Sequence, residues 1–324
     1  MTAAERVQNV QSHGFTERQA AFLVTLMLHS GVCMGRHYCT HAGIAYGQKM
    51  HDFFRGLLAR KFATVRHCGH NRARLYHVHH RPLYDAIGEP DNRHRKPMPL
   101  ARAIERVMVL DAVMADRRRQ WLATEEEKVA YFTQVRRVAA DALPSLTFVG
   151  DGSTTVRRFH DKLPIGVAAG ETDVFLYLVT RPSPIEFRAF LDRHAELFRA
   201  LPAWTLRLLF PVHLIKSREI YAAAFREQLA MPLRPSTRDE LRWYFEARRA
   251  GRDARDPRFE RAARAFSAPR FRALYRVWLE GHDDVVDATV SPSLTDAIER
   301  GVGQLECTVL AHRYRHLFPL LATA

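Results

Sequence analysis

The sequence predicts an α+β protein, mostly helical: an N-terminal helix-helix-turn-helix unit closed by a two-stranded wing, a central αβββαβ unit and a helical C-terminal region. Apolar residues recur at three- and four-residue spacing along most of the chain, whereas runs of strand character fall between 62 and 78 and between 145 and 210. The segment Gly88-Glu89-Pro90-Asp91-Asn92-Arg93-His94-Arg95-Lys96-Pro97 combines turn formers with cations and reads as a boundary. The expected division is 1–88, then a linker and bracing helix at 89–123, an α/β domain at 124–211 and helices from 212 to 324.

Thr16 followed by Gln19 is a capping box, and Ala20, Phe22, Leu23, Leu26 and Met27 form one apolar stripe that ends at Gly31. A short helix fits Arg36 to Ala42, a turn fits Gly43 to Gly47, and a third helix fits Gln48 to Arg60 with Met50, Phe53, Phe54, Leu57 and Leu58 inward. Phe62 to Arg66 and Ala73 to Val78 then read as strands flanking a polar tip, Gly69-His70-Asn71-Arg72. This order is the sequence form of a winged helix-turn-helix, and the expected partner is double-stranded DNA. In such modules the third helix meets base edges while flanking cations hold phosphates. Gln48, Lys49, His51 and Arg55 are therefore expected to read, and Arg66, Arg72 and Arg74 to grip, with Arg36, Tyr46 and Asn71 completing the contact set. A protein-protein module with a solvated basic face is the alternative.

The charge agrees. In 324 residues, 47% of them hydrophobic, the net charge is +14, which favours a polyanion because bound phosphates release condensed counterions. The excess is concentrated in two zones: twelve Lys or Arg against four acids between Arg55 and Arg106, and thirteen Arg against six acids between Arg234 and Arg276. Arg252 and Arg255, in a charged turn of the second zone, are expected to touch flanking DNA, and a solvated helix face is the bland alternative. The N-terminus lacks a hydrophobic leader and no apolar run reaches membrane-spanning length, so the expected location is cytoplasmic.

Four cysteines, Cys33, Cys39, Cys68 and Cys307, are too few for a disulfide framework in a chain of this length. Cys33, His37, Cys39 and His41 lie close together, yet no spacing forms a paired C-x-x-C knuckle. Cys33 and Cys39 are expected as small core residues, the histidines as polar surface groups, and no cofactor or metal is expected.

Beyond the boundary, Leu100 to Arg119 has helical spacing and is expected to brace the two units, and Thr124 with Glu127 is a capping box opening a helix to about Ala140. Strands follow at Ser145 to Val149, Thr154 to His160 and Asp173 to Thr180, then a helix from Pro184 to Ala200 and a strand from Trp204 to Phe210. This order resembles the core of the PD-(D/E)XK nuclease-like fold, and with the preceding winged helix it is similar to mobile-element proteins of the replication-relaxation type. The resemblance implies an acid near the end of the second strand, for which Asp161 is the candidate, and an E-x-K on the third strand, the pair holding Mg²⁺. The third strand, Asp173 to Thr180, has neither Glu nor Lys, so the expected domain is nuclease-like without an intact site. A migrated site from Asp151, Asp161, Glu171 and Asp173 is the alternative, plain loop acids the simpler reading.

No phosphate loop, nucleophile elbow or H-E-x-x-H occurs. The remaining expected helices are Ile215 to Leu229, Thr237 to Arg249, Pro257 to Phe266, Ala268 to Glu280 and Ser293 to Leu317. The expected function is sequence-specific DNA binding for a bacterial mobile element, plasmid or phage-related locus, in transcription regulation or as an accessory factor in DNA replication or recombination. The alternatives are a Mg-dependent nuclease and a protein-assembly subunit, with a homodimer or protein partner on the C-terminal helices.

Overall fold

Thr2 accepts from the Glu5 amide while Glu5 returns to the Thr2 amide, and this capping box starts α1, Ala3–Gln11, ahead of the first helix anticipated from sequence. The computed structural model describes residues 1–69, 73–150, 153–229, 235–251, 256–266, 269–282, 286, 303–314 and 317. In α2, Glu17–His29, the Thr16–Gln19 box forms as expected and the apolar stripe is buried. Gly31 ends it with φ +71, and a Cβ there would meet the His94 carbonyl at 2.5 Å, so both conformation and space require glycine.

The chain continues through β1, Val32–Cys33, α3, Gly35–Ala42, α4, Gln48–Ala59, β2, Ala63–His67, and β3, Arg74–Val78. The strands form an antiparallel sheet in the order β1-β3-β2, with Val32 opposite His77 and Val65 opposite Tyr76. β1 is two residues long, too short to show a periodic signal. Tyr38 stacks on Phe53 at 4.1 Å and Phe54 on Tyr76 at 3.9 Å, joining α3, α4 and the sheet in one core.

After α5, Arg81–Ala86, and a short turn at Arg93–Arg95, α6, Leu100–Ala115, divides its apolar residues. Leu110 and Met114 join the N-terminal core, whereas Ile104, Val107 and Val113 pack with Val174, Leu176 and Leu209 of a second sheet. This helix is the expected brace, shorter than the Leu100 to Arg119 span.

The second sheet has five strands in the order β10-β9-β8-β7-β4: β4, Gln120–Leu122, β7, Ile165–Val167, β8, Asp173–Leu178, β9, Trp204–Phe210, and β10, Gly303–Val309. The strands β8, β9 and β10 run parallel, and β7 and β4 extend the edge antiparallel. One face packs on α6 and the other on α8, Ile185–Ala200, and α9, Arg218–Leu229. Every residue of β8 is buried, as a strand covered on both faces must be. Phe190, Phe198 and Trp204 fill the α8 side, each side chain contributing about 1.5–3 kcal/mol of burial.

The anticipated αβββαβ order is not the order of this sheet: β4 precedes the helix opened by Thr124, and only β7 and β8 follow that helix into the sheet before α8 and β9. The segments β5, Ser145–Gly150, and β6, Ser153–Arg158, do form, and they pair only with each other. Phe148 and Val156 stay exposed on this hairpin. The strands that do enter the sheet, β4 and β7, are three residues each. The helix opened by Thr124, α7, Glu125–Ala130, also departs from expectation: it widens into a π turn at Tyr131–Val135 and ends at Arg136, well before Ala140. The span 303–309, anticipated as helix, is β10, parallel to β9 with Gly303 against the Trp204 ring. The rest of that anticipated helix lies outside the described residues except at 310–314 and 317.

The C-terminal helices α10, Pro235–Arg249, α11, Pro257–Ala265, and α12, Pro269–Leu279, match their anticipated spans within a few residues. They share a core of Leu241, Phe245, Phe266, Phe271 and Trp278. Among the described residues no helix is long and apolar enough to cross a membrane.

Candidate nucleic-acid interface

Helix α4 buries Met50, Phe53, Phe54 and Leu57 and exposes Gln48, Lys49, His51, Asp52 and Arg55. Gly47 precedes it and supplies no side-chain cap, and the Met50 amide donates to the Gly47 carbonyl at 3.1 Å. Asp52 is the centre of the exposed face: Gln48 Nε2 donates to Asp52 Oδ1 at 2.7 Å, and Arg55 Nη1 lies 3.1 Å from the same oxygen. Exposed pairs of this kind are worth about 0–1 kcal/mol, so they open readily. Tyr46, 69% exposed on the turn before α4, sets its ring edge-to-face on His51 with centroids 5.6 Å apart.

Lys49 points to another side of the helix. With Arg18, Arg60 and Asp52 it lines a groove between α2 and α4. Sequence reasoning missed Arg18 and Arg60. Arg60 lies over the Phe62 ring at 4.1 Å, and Arg18 donates to the Ala42 carbonyl at 3.2 Å, contacts that no local pattern announces. On the wing, Arg66 of β2 and Arg74 of β3 are exposed. Asn71 and Arg72 lie outside the described residues, as do Arg252 and Arg255. The neighbours of the latter pair rest on aromatic faces: Arg248 over Tyr275 at 4.4 Å, Arg249 over Trp278 at 4.6 Å and Arg258 over Trp243 at 3.8 Å.

Arg36 does not belong to this face. Its guanidinium grips both oxygens of Asp111 on α6, with Nη2 at 2.8 Å from Oδ2. His37 Nε2 donates to Asp111 Oδ1 at 3.0 Å, its Nδ1 accepting from the Met34 amide at 2.8 Å, and Tyr314 donates its hydroxyl to Oδ2 at 2.6 Å. Burial by itself raises the Asp111 carboxyl, but the bonds from Arg36 and His37 outweigh it and hold the group well below the usual carboxylate range. Burial pulls His37 down, in accord with a neutral ring that donates from Nε2. Asp111 thus seats α3 on α6. His37 is correspondingly a core residue and not the anticipated surface group, while Cys33 and Cys39 are buried as expected.

The acids considered for a metal site are scattered. Asp173 is fully buried and takes Arg136 Nε at 2.8 Å, Arg136 Nη2 at 2.7 Å and the Tyr131 hydroxyl at 2.7 Å. Glu171 pairs with Arg119 at 2.8 Å. Asp161 follows the separate hairpin and not a strand of the main sheet, and its Oδ2 sits 3.3 Å from His194 Nε2. Burial raises the Asp161 carboxyl, while His194 and the buried Lys128 ammonium, itself drawn down to about 8 by burial, bring it below its ordinary value. Asp151 lies outside the described residues. Among the described residues no three His, Cys, Asp or Glu side chains gather as a metal site.

No protein family, curated protein or solved structure matches the chain.

Proposed function

We propose that this chain is a sequence-specific double-stranded DNA-binding protein whose N-terminal unit is a winged helix, with α4 as the reading helix and β2–β3 as the wing. The observation that carries the reading is the α4 face, where Gln48, His51 and Arg55 project from a helix locked by a four-aromatic core. Gln48 and Arg55 suit bidentate readout of adenine and guanine edges. Lys49, grouped with Arg18 and Arg60, suits phosphate contact instead, as do Arg66 and Arg74. The net charge of +14 supplies the sequence-independent part of the affinity.

The process is proposed as transcription regulation, or an accessory role in replication or recombination, for a bacterial mobile element, plasmid or phage-related locus in the cytoplasm. The central unit serves as scaffold, because fold alone confers no chemistry. The absence of Glu and Lys from β8, and the engagement of Asp173 by Arg136 and Tyr131, support a role without phosphodiester cleavage. Selection of bound fragments from a random duplex pool tests the reading, since an enriched motif is expected. Recovery of unselected sequence at every salt concentration would reduce the chain to a non-specific polyanion binder.

A further inference from the structure

Between α6, the turn at Arg93–Arg95, the loop 161–164 and the C-terminal end of β8 lies a polar cleft of about 410 Å³. Three buried side-chain atoms of residues on its lining have no hydrogen-bond partner: His29 Nδ1, His94 Nδ1 and Arg106 Nη1. Buried polar groups are nearly always bonded, so three orphans around one space mark a place built for something else to bond. His94 is only 5% exposed, and its unspent nitrogen cannot be satisfied from bulk solvent.

The charges say what that occupant is. Arg102 and Glu186, at the rim, already have partners in Glu105 and Arg181, which leaves Arg93, Arg106 and Lys162 facing the cleft with Asp161. The cations crowd Arg93: burial and then repulsion by Arg106 and Arg102 bring its guanidinium down to about 10, and burial followed by Arg93 lowers Lys162. Arg93 Nη2 donates to the Lys162 carbonyl at 3.2 Å, so the two walls are already joined with the cations in place. Burial keeps both imidazoles neutral, able to donate or accept. The space lies at the carboxyl end of a parallel strand, where open α/β sheets place their ligands.

We propose that this cleft binds a small phosphorylated molecule, its phosphate held by Arg93, Arg106 and Lys162 and its hydroxyl or amino groups by the imidazoles of His29 and His94. The site is separate from α4 and stands whether or not the chain reads DNA.

Calorimetric titration of the full chain with inorganic pyrophosphate, in chloride buffer at constant ionic strength, tests it. Saturable binding at one site is expected, weakened at least tenfold by Arg106→Gln and unchanged by Lys49→Ala on the reading helix. Lys162→Gln, at a partly exposed position, repeats the test should Arg106→Gln fail to fold. Absence of saturation would overturn the assignment. So would binding that survives Lys162→Gln or Arg106→Gln and is lost in Lys49→Ala, which would assign the anion to the α4 groove.

Discussion

Gln48 donates its side-chain amide to Asp52 one helical turn on, and the same carboxylate oxygen faces Arg55, so the exposed face of α4 is closed on itself. Asp52 also sets one negative charge on the face proposed to meet DNA phosphates. Asp52→Ala is therefore expected to tighten binding to any duplex several-fold at low salt and to steepen the salt dependence by about one unit of slope. Unchanged affinity in a filter-binding salt series would show that the pair plays no part at the interface.

Readers and grippers are expected to separate. Gln48→Ala should cost about 1–3 kcal/mol at the selected motif and little on scrambled DNA. Lys49→Ala, Arg66→Ala and Arg74→Ala should weaken both alike and flatten the slope by about one unit each. Equal losses on both duplexes from all four variants would remove α4 from the role of reading helix.

Asp111 predicts a stability effect at a distance from the interface. Its carboxylate is the shared acceptor of Arg36, His37 and Tyr314, so Asp111→Ala strands an arginine and two hydrogen-bond donors in a largely buried site. A loss of about 3–5 kcal/mol is expected in denaturant unfolding, as for other broken buried pairs. Asp52→Ala, whose pairs are exposed, should change stability by less than about 0.5 kcal/mol. A stability loss no larger than that of Asp52→Ala would show that the bond does not seat α3 on α6.

Acid should destabilise the protein through its buried histidines. Burial lowers His29 and His194 from the ordinary 6.5 to about 4 in the fold, so the unfolded chain takes up these protons first. Their contribution is fully present above pH 6.5, is lost as pH falls from there toward about 4, and amounts to about 1.4 kcal/mol per pH unit for each ring. The lowered carboxyls of Asp111 and Asp161 act in the same direction at lower pH. His194→Gln should flatten the fall by one proton; an unaltered slope would mean that this ring is already charged at neutral pH.

Purified protein with Mg²⁺ or Mn²⁺ is expected to shift supercoiled plasmid on a gel and leave it intact. Nicking that depends on the protein and disappears in Asp161→Ala would restore the nuclease reading.

Local chemistry is legible in the amino-acid sequence alone. The Thr16–Gln19 and Thr124–Glu127 boxes, the apolar stripes of α2 and α4 and the wing strands depend on contacts within about four residues or across a short hairpin, and a linear pattern records such contacts directly. The exposed set Gln48, Lys49, His51 and Arg55 follows from the same periodicity. Tertiary structure decides everything that joins distant segments. Arg36 is a cation on a short helix until folding brings Asp111, 75 residues away, against it and turns an expected DNA contact into an anchor. The spans 145–150 and 303–309 show the same limit in opposite directions. The first has strand character and stays outside the main sheet, pairing only with β6 and leaving Phe148 exposed. The second reads as helix and becomes a strand because β9 offers a free edge along its whole length. A residue's own pattern sets what it can form; the surface it meets sets what that element is for.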